Sequence, residues 1–359
     1  MPVSVQDDPV PLSRIIGPRN QPVCLIVMEK DRVGMCVIGL GVGMEHARAY
    51  SKMDGVELYI CDTDEARIAR ARSELAVAGA FTSIDSALSA GEVDAVDVNL
   101  PNSMHAPTAI QAARRMKHCM IEKPLATTLS EADSMIREAK DRGTMLATAE
   151  NFQFSPFINK AAELIRSGRI GRVFLVSVLD QMWPIRAWPT SWWSRRDIAG
   201  GGVLICAGVH AVRTLRMLGT SEIASVYAIG CNISLGIESE DTCLLSAEFE
   251  DGALGSIPAS WATPRSSNIF EVYGSMGSII HKREGGLTIL ADSRVSDESE
   301  NVVVPEVDTY DEECRAFVSS IRLGSLDDRI SAGLGRKDLE IVEAAYRSIS
   351  ERQVIKLPL

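Results

Sequence analysis

The chain has 359 residues, too many for one ordinary core, so two domains are expected. With 46% hydrophobic and 24% charged residues it has a globular composition, and 48 acidic against 37 basic residues leave a net charge of -11. That balance argues against a nucleic-acid or anionic-membrane surface, and no apolar run approaches the roughly 20 residues that cross a bilayer.

The eight cysteines include no C-x-x-C pair, and Cys36, Cys61 and Cys119 sit inside apolar runs. This is the pattern of reduced, buried thiols in a cytoplasmic protein. The five histidines do not meet cysteines at ligand spacing except at Cys206 and His210, so no metal site is expected.

Residues 1–31, with Pro2, Pro9, Pro11, Pro18 and Pro22, read as a loose tail without the charged-then-apolar order of a signal peptide. Met28, just before the first strand, is an alternative start.

From Val33 an apolar strand runs into Gly39, Gly41 and Gly43 and then into a helical pattern. Glycines let the backbone approach a pyrophosphate, and the helix amino terminus offers free N–H groups. The spacing is one residue short of G-x-G-x-x-G, and a plain tight turn is the competing reading. The next strand ends at Asp62, near the offset at which an acid binds the adenosine ribose of NAD, and Asp64 and Glu65 follow. A 2′-phosphate would be repelled there, so NAD is expected over NADP. A helix cap is the alternative role for Asp62.

A further strand stops at Leu100 and Pro101, with Asn102 or Ser103 as a helix cap. Then comes HCMIEKPLA, from His118 to Ala126, where Glu122, Lys123 and Pro124 leave a buried strand together. Carboxyl ends of parallel strands open onto the ligand crevice, so Lys123 is placed to exchange a proton with a substrate oxygen. A surface ion pair beside a turn proline is the alternative. A helix with Ser130 and Asp133 near its start and a strand ending at Asn151 complete an alternating α/β pattern, the signature of a covered parallel sheet.

In the second half, Trp183, Trp188, Trp192 and Trp193 cluster ahead of GGGVLICAGVH, where Cys206 and His210 are four apart. On a helix that spacing puts them on one face. The indoles suit the face of a sugar ring or an aromatic aglycone, or else cover a domain interface. The segments at 243–249 and 252–261 read as a hairpin turned at Glu250, Asp251 and Gly252, and 271–280 as one glycine-broken strand. Helices are expected over 308–321 and 336–352, joined by 330–338.

GLGVG at 39–43, PNSMH at 101–105, EKPLA at 122–126 and GGGVLICAGVH at 200–210 together resemble the glucose-fructose oxidoreductase, inositol dehydrogenase and rhizopine-catabolism family of NAD(P)-dependent oxidoreductases. The resemblance implies an α/β protein: a Rossmann domain over 32–150, then a substrate-binding and oligomerisation domain over 151–359 with a large, open, mostly antiparallel sheet. It implies Lys123 and His210 as catalytic residues, and Gly39, Gly41, Gly43, Asp62, Asn102, His105 and Glu122 around the cofactor. Cys206, Trp188, Trp192 and Trp193 fall on the substrate side. The expected ligand is a sugar, polyol or glycoside, with no nucleic-acid or membrane partner, and the open sheet face suits a homodimer or homotetramer.

Family members usually carry Asp where this chain has Cys206, and often another where it has Arg213. Loss of that acid should leave His210 less readily charged. It also keeps open a non-catalytic, sugar- or nucleotide-sensing role, against which the lysine, glycine loop and histidine stand.

Overall fold

A computed structural model describes residues 32–181, 191–263, 267–282, 285–294 and 296–359. The expected tail at 1–31, and Trp183 and Trp188, lie outside the described residues.

The first sheet has six parallel strands, β1 (Val33–Ile38), β2 (Val56–Cys61), β3 (Gly79–Phe81), β4 (Ala95–Val98), β5 (His118–Glu122) and β6 (Leu146–Ala149), in the order β3-β2-β1-β4-β5-β6. Its helices are α1 (Gly43–Ser51), α2 (Glu65–Glu74), α3 (Ile84–Ser89), α4 (His105–Arg114) and α5 (Leu129–Arg142). Every residue of β1 is buried, as an unbroken apolar strand must be when helices cover both faces. The strand order turns back between β1 and β4, which opens a crevice at the carboxyl ends of the strands.

Ser130 and Asp133 lie near the start of α5 as expected, and Thr128 caps it through a reciprocal bond with Glu131. Asn102 caps nothing, because it lies in a short 3₁₀ turn before α4 and its side chain is drawn elsewhere.

The second sheet has nine strands, β7 (Val173–Gln181), β8 (Ile223–Cys231), β9 (Thr242–Phe249), β10 (Leu254–Ser260), β11 (Ser267–Gly274), β12 (Gly277–Lys282), β13 (Gly286–Ala291), β14 (Ser299–Val302) and β15 (Ile355–Lys356). Only β7 with β10 is parallel. The hairpin of β9 and β10 forms as read, whereas 271–280 divides into β11 and β12 around Ser275 and Met276, because its two glycines flank a turn.

Helices α6 (Pro156–Arg166), α7 (Arg196–Ala199), α8 (Val209–Leu218), α9 (Thr309–Leu323) and α10 (Ala332–Glu351) complete the fold. α10 begins before Arg336 and absorbs most of the expected connection. Its glycines serve packing: a Cβ on Gly335 would stand 2.4 Å from Thr148 Oγ1, so this helix can lie against β6 only without a side chain there.

The run Arg196–Leu218 is apolar enough to cross a membrane, with mean hydropathy 1.5, but 83% of its most apolar window is buried inside the protein. It is a core element. α8 is pinned through Arg213, which donates to Asp338 on α10 at 2.8 and 2.5 Å, with Arg216 on the same carboxylate at 2.5 Å. Removing one member of so buried a group typically costs about 3–5 kcal/mol, so it fixes α8 against α10.

α9 returns to the first sheet and packs on α1, with Cys314 and Phe317 beside Tyr50 in one core. There His46 lies fully buried, 2.9 Å from Asp97 and 3.6 Å from Glu313. Tyr50 and Asn99 also donate to Asp97, so this network ties α1 to the end of β4. His46 is thus a tether of the glycine-loop helix.

Candidate active site

Three glycines after β1 behave differently. Gly39 has φ +92, and a Cβ there would stand 2.3 Å from the Asn99 carbonyl oxygen, while one on Gly43 would press into Val37 at 2.9 Å. Gly41 faces open space, with nothing within 4 Å. The outer two therefore serve the turn and helix packing, and the middle one leaves room for a ligand at the amino end of α1. This fits the pyrophosphate of a dinucleotide.

Asp62, at the end of β2, accepts from Leu40 N at 2.8 Å and Asp64 N at 2.9 Å. Its carboxylate braces the glycine loop as well as bordering the crevice, and Arg67 lies 3.6 Å away.

At the end of β5, Lys123 Nζ donates to the carbonyl oxygen of Cys206 at 2.9 Å and sits 3.7 Å from Glu122. Lysine and glutamate are both mostly buried, and burial pushes the Glu122 carboxyl up. One ammonium thus joins the crevice of the first sheet to the helix of the second domain.

His105 is fully buried, with Nδ1 2.8 Å from Pro124 O and Nε2 2.9 Å from Leu100 O. Burial pushes this imidazole down. Both ring nitrogens are engaged by carbonyls, so its contacts brace the Lys123 turn and leave none for a nicotinamide or ribose. Asn102 donates to Ala199 O at 2.8 Å and reaches Cys206 Sγ at 3.7 Å, another link between the two halves.

Cys206 lies in a π-helical turn, Leu204–Gly208, ahead of α8. Such turns often occur where a helix is locally re-aimed at a functional site. Burial pushes its thiol up to about 12, so it is neutral, and its carbonyl rather than its sulfur receives Lys123. Cys206 and His210 have separate partners: the thiol meets Asn102, and His210 meets a residue that sequence reasoning passed over.

That residue is Glu150, just past β6. Its Oε1 lies 2.6 Å from His210 Nδ1, and Phe152 stacks on the imidazole with centroids 4.4 Å apart. Burial alone would raise this carboxyl. His210 above all, then Arg213 and Lys123, overcomes burial and holds it below the ordinary carboxylate value. An ionised Glu150 can only accept, so His210 Nδ1 donates to it and Nε2 is the ring nitrogen turned away from the carboxylate. The expectation of a histidine without a carboxylate is therefore corrected, since the acid missing at 206 is supplied from the neighbouring strand. Glu150 follows a buried strand as Lys123 does, and that signal could have found it.

Trp192 and Trp193 form an edge-on pair at 5.4 Å, and Trp193 stacks on fully buried Trp261 at 5.8 Å. Half-buried Trp192 and Trp193 thus lead down to a buried indole.

The first half, residues 33–150, matches the model of an oxidoreductase family with an NAD-binding Rossmann fold, and residues 158–280 match the GFO/IDH/MocA C-terminal domain. A 1,5-anhydro-D-fructose reductase of Ensifer adhaerens is 30% identical over 227 residues, covering 63% of this chain and 68% of that one. The chain belongs to the Gfo/Idh/MocA family of oxidoreductases.

Other Gfo/Idh/MocA relatives match over greater length. A myo-inositol 2-dehydrogenase of Thermotoga maritima is 28% identical over 340 residues, 91% of this chain and 98% of its own. A levoglucosan dehydrogenase solved with NADH and levoglucosan has the same fold, with TM-score 0.83 at 23% identity, covering 91% of this chain and all (100%) of its own. The Gfo/Idh/MocA resemblance and the two-sheet α/β architecture read from the sequence are thus borne out, as is a nicotinamide dinucleotide as cofactor class.

A pH dependence follows from Glu150. Because its folded pKa is lowered, its contribution to stability is full above the ordinary carboxylate value of 4.5 and is lost as pH falls through the lower folded value. Urea unfolding at stepped pH should show the wild-type protein losing more stability below about pH 4.5 than Glu150→Gln does. Parallel losses in the two proteins would mean the pair does not hold Glu150 ionised.

Proposed function

We propose that this oxidoreductase is an NAD-dependent dehydrogenase acting on a secondary alcohol of a sugar, polyol or glycoside, with residues 32–150 holding the cofactor and 151–359 the substrate. The observation that carries this is Lys123 Nζ at the Cys206 carbonyl, beside a histidine held by a buried carboxylate. The curated relatives named for inositol and anhydrofructose support the substrate class.

Held at Gly39, Gly41, Gly43 and Asp62, NAD would supply the hydride acceptor for the carbon that bears the hydroxyl. Lys123 has donors left after its bond to Cys206 O, and these hold the reacting oxygen and stabilise the charge that develops on it. His210 Nε2 accepts the hydroxyl proton, and Glu150 stabilises the imidazolium that forms. Gly39, Gly41 and Gly43 shape the pyrophosphate cradle, and Asp62, followed by acids, favours NAD over NADP. A sensing role drew its support from the absent carboxylate at 206, and Glu150 beside His210 favours turnover instead. The seven described cysteines are all unpaired, which fits a reducing cytoplasm.

The outer face of the second sheet carries Ile229 directly opposite Leu244, 57% and 49% exposed, with Leu254 at 54%. We infer that this face buries itself against another copy, as a homodimer or homotetramer.

NADH formation with a panel of inositols, aldoses and glycosides should find a substrate. On that substrate Lys123→Ala should lower kcat by about 10³-fold or more while NAD binds within about threefold of wild type. Full turnover by Lys123→Ala would remove the lysine from the chemistry. Sedimentation at micromolar concentration should give a dimer or larger, and a monomer would refute the covered sheet face.

A further inference from the structure

Next to His210 lies a cavity of about 240 Å³ that the proton-handling residues do not line. A larger, shallow depression of about 390 Å³, against Tyr273, Asp292 and Arg294 on the sheet beyond β7, does not include them either. The first cavity sits between α6, α8 and the inner face of β7, β11 and β12. Phe152 belongs to both sites: it lines the cavity and also stacks on His210. A molecule with its reacting carbon at His210 therefore has room to continue past the edge of Phe152.

The walls are Phe152, Phe157, Phe270, Ile158, Val178 and Ala211. Hydroxyls at the rim are already engaged. Thr214 donates to His210 O, Thr309 accepts from Asn151, and Ser155 accepts from Ile158 N. Two further polar atoms of the lining have no such partner. Asp180 is 5% exposed, lines the cavity from β7, and its Oδ2 has no hydrogen-bond partner among the described residues. His281, stacked on Phe157 at 4.4 Å, has Nδ1 2.9 Å from Gly286 O, which leaves Nε2 without a partner among the described residues. Burial pushes both groups toward their neutral forms.

A buried carboxyl oxygen without a hydrogen-bond partner is costly, so Asp180 Oδ2 in an aromatic cavity points to a ligand that donates to it. A flat apolar ring with one or two hydroxyls fits both the aromatic walls and the unpartnered Asp180 Oδ2 and His281 Nε2. We propose that this cavity is an aglycone subsite, which takes a hydroxylated aromatic ring joined to the sugar or polyol oxidised at His210, with Asp180 accepting from the ring hydroxyl. The inference rests on the reading of Lys123 and His210 as the proton-handling pair.

Calorimetric titration of the NADH-loaded protein with 4-methylphenol, and with toluene as the ring lacking the hydroxyl, tests the subsite without turnover. The phenol should saturate the protein and bind about tenfold or more tightly than toluene. Asp180→Leu should erase that preference while its thermal midpoint stays equal or rises, because an unpartnered polar group has been removed. Phe157→Ala should weaken both ligands. Equal binding of phenol and toluene, or an Asp180→Leu protein that keeps the preference or melts earlier, would overturn the proposal. If the phenol binds as expected but no hydroxyphenyl glycoside is oxidised, the subsite stands and the dehydrogenase reading falls.

Discussion

A carboxylate with 2% of its surface exposed stays ionised only where cations outweigh its lost hydration, and Glu150 is such a group. His210 supplies the nearest donor, at 2.6 Å, and Arg213 and Lys123 add positive charge. Arg213 is itself fixed by Asp338 on α10 and by Gln153, just past Glu150. The placing of α8 against α10 and the aim of the His210 ring both depend on this one balance of buried charge.

Lys123 is held in a complementary way. Its strand end comes from the first sheet, but its acceptor is a backbone carbonyl in the π-helical turn of the second domain. A backbone acceptor places the ammonium without neutralising it, so the charge stays available for a developing oxyanion. His105 and Asn102, expected near the cofactor, brace the Lys123 turn and the Cys206 sulfur from behind. Bonds to backbone carbonyls thus help to hold the site in shape.

Much of this was legible in the chain. Apolar runs that stop at glycine, acid or lysine mark strand ends, and that rule alone located Gly39, Asp62 and Lys123. The hairpin of β9 and β10 showed in its acidic-glycine turn. What stayed hidden depends on packing across the two sheets. Nothing local at TAEN pairs Glu150 with a histidine 60 positions later, and the substitution at Cys206 pointed away from that pair. Asp180 sits in an ordinary strand pattern, and only the cavity behind it makes its carboxyl informative. The stacking of Trp193 on Trp261, far along the chain, likewise shows in no local pattern. Gly335 read as part of a connection because its close approach to Thr148 cannot be seen in composition.

The central claim is that Glu150 acts through His210, as the carboxylate this chain carries in place of the one missing at 206. A double-mutant cycle on kcat/KM with Glu150→Gln and His210→Ala measures this directly. The account predicts that each single change costs about 10²-fold and that the double variant is no worse than His210→Ala alone. Losses that multiply in the double variant would contradict it, since two independent contributions cannot belong to one base held by its partner.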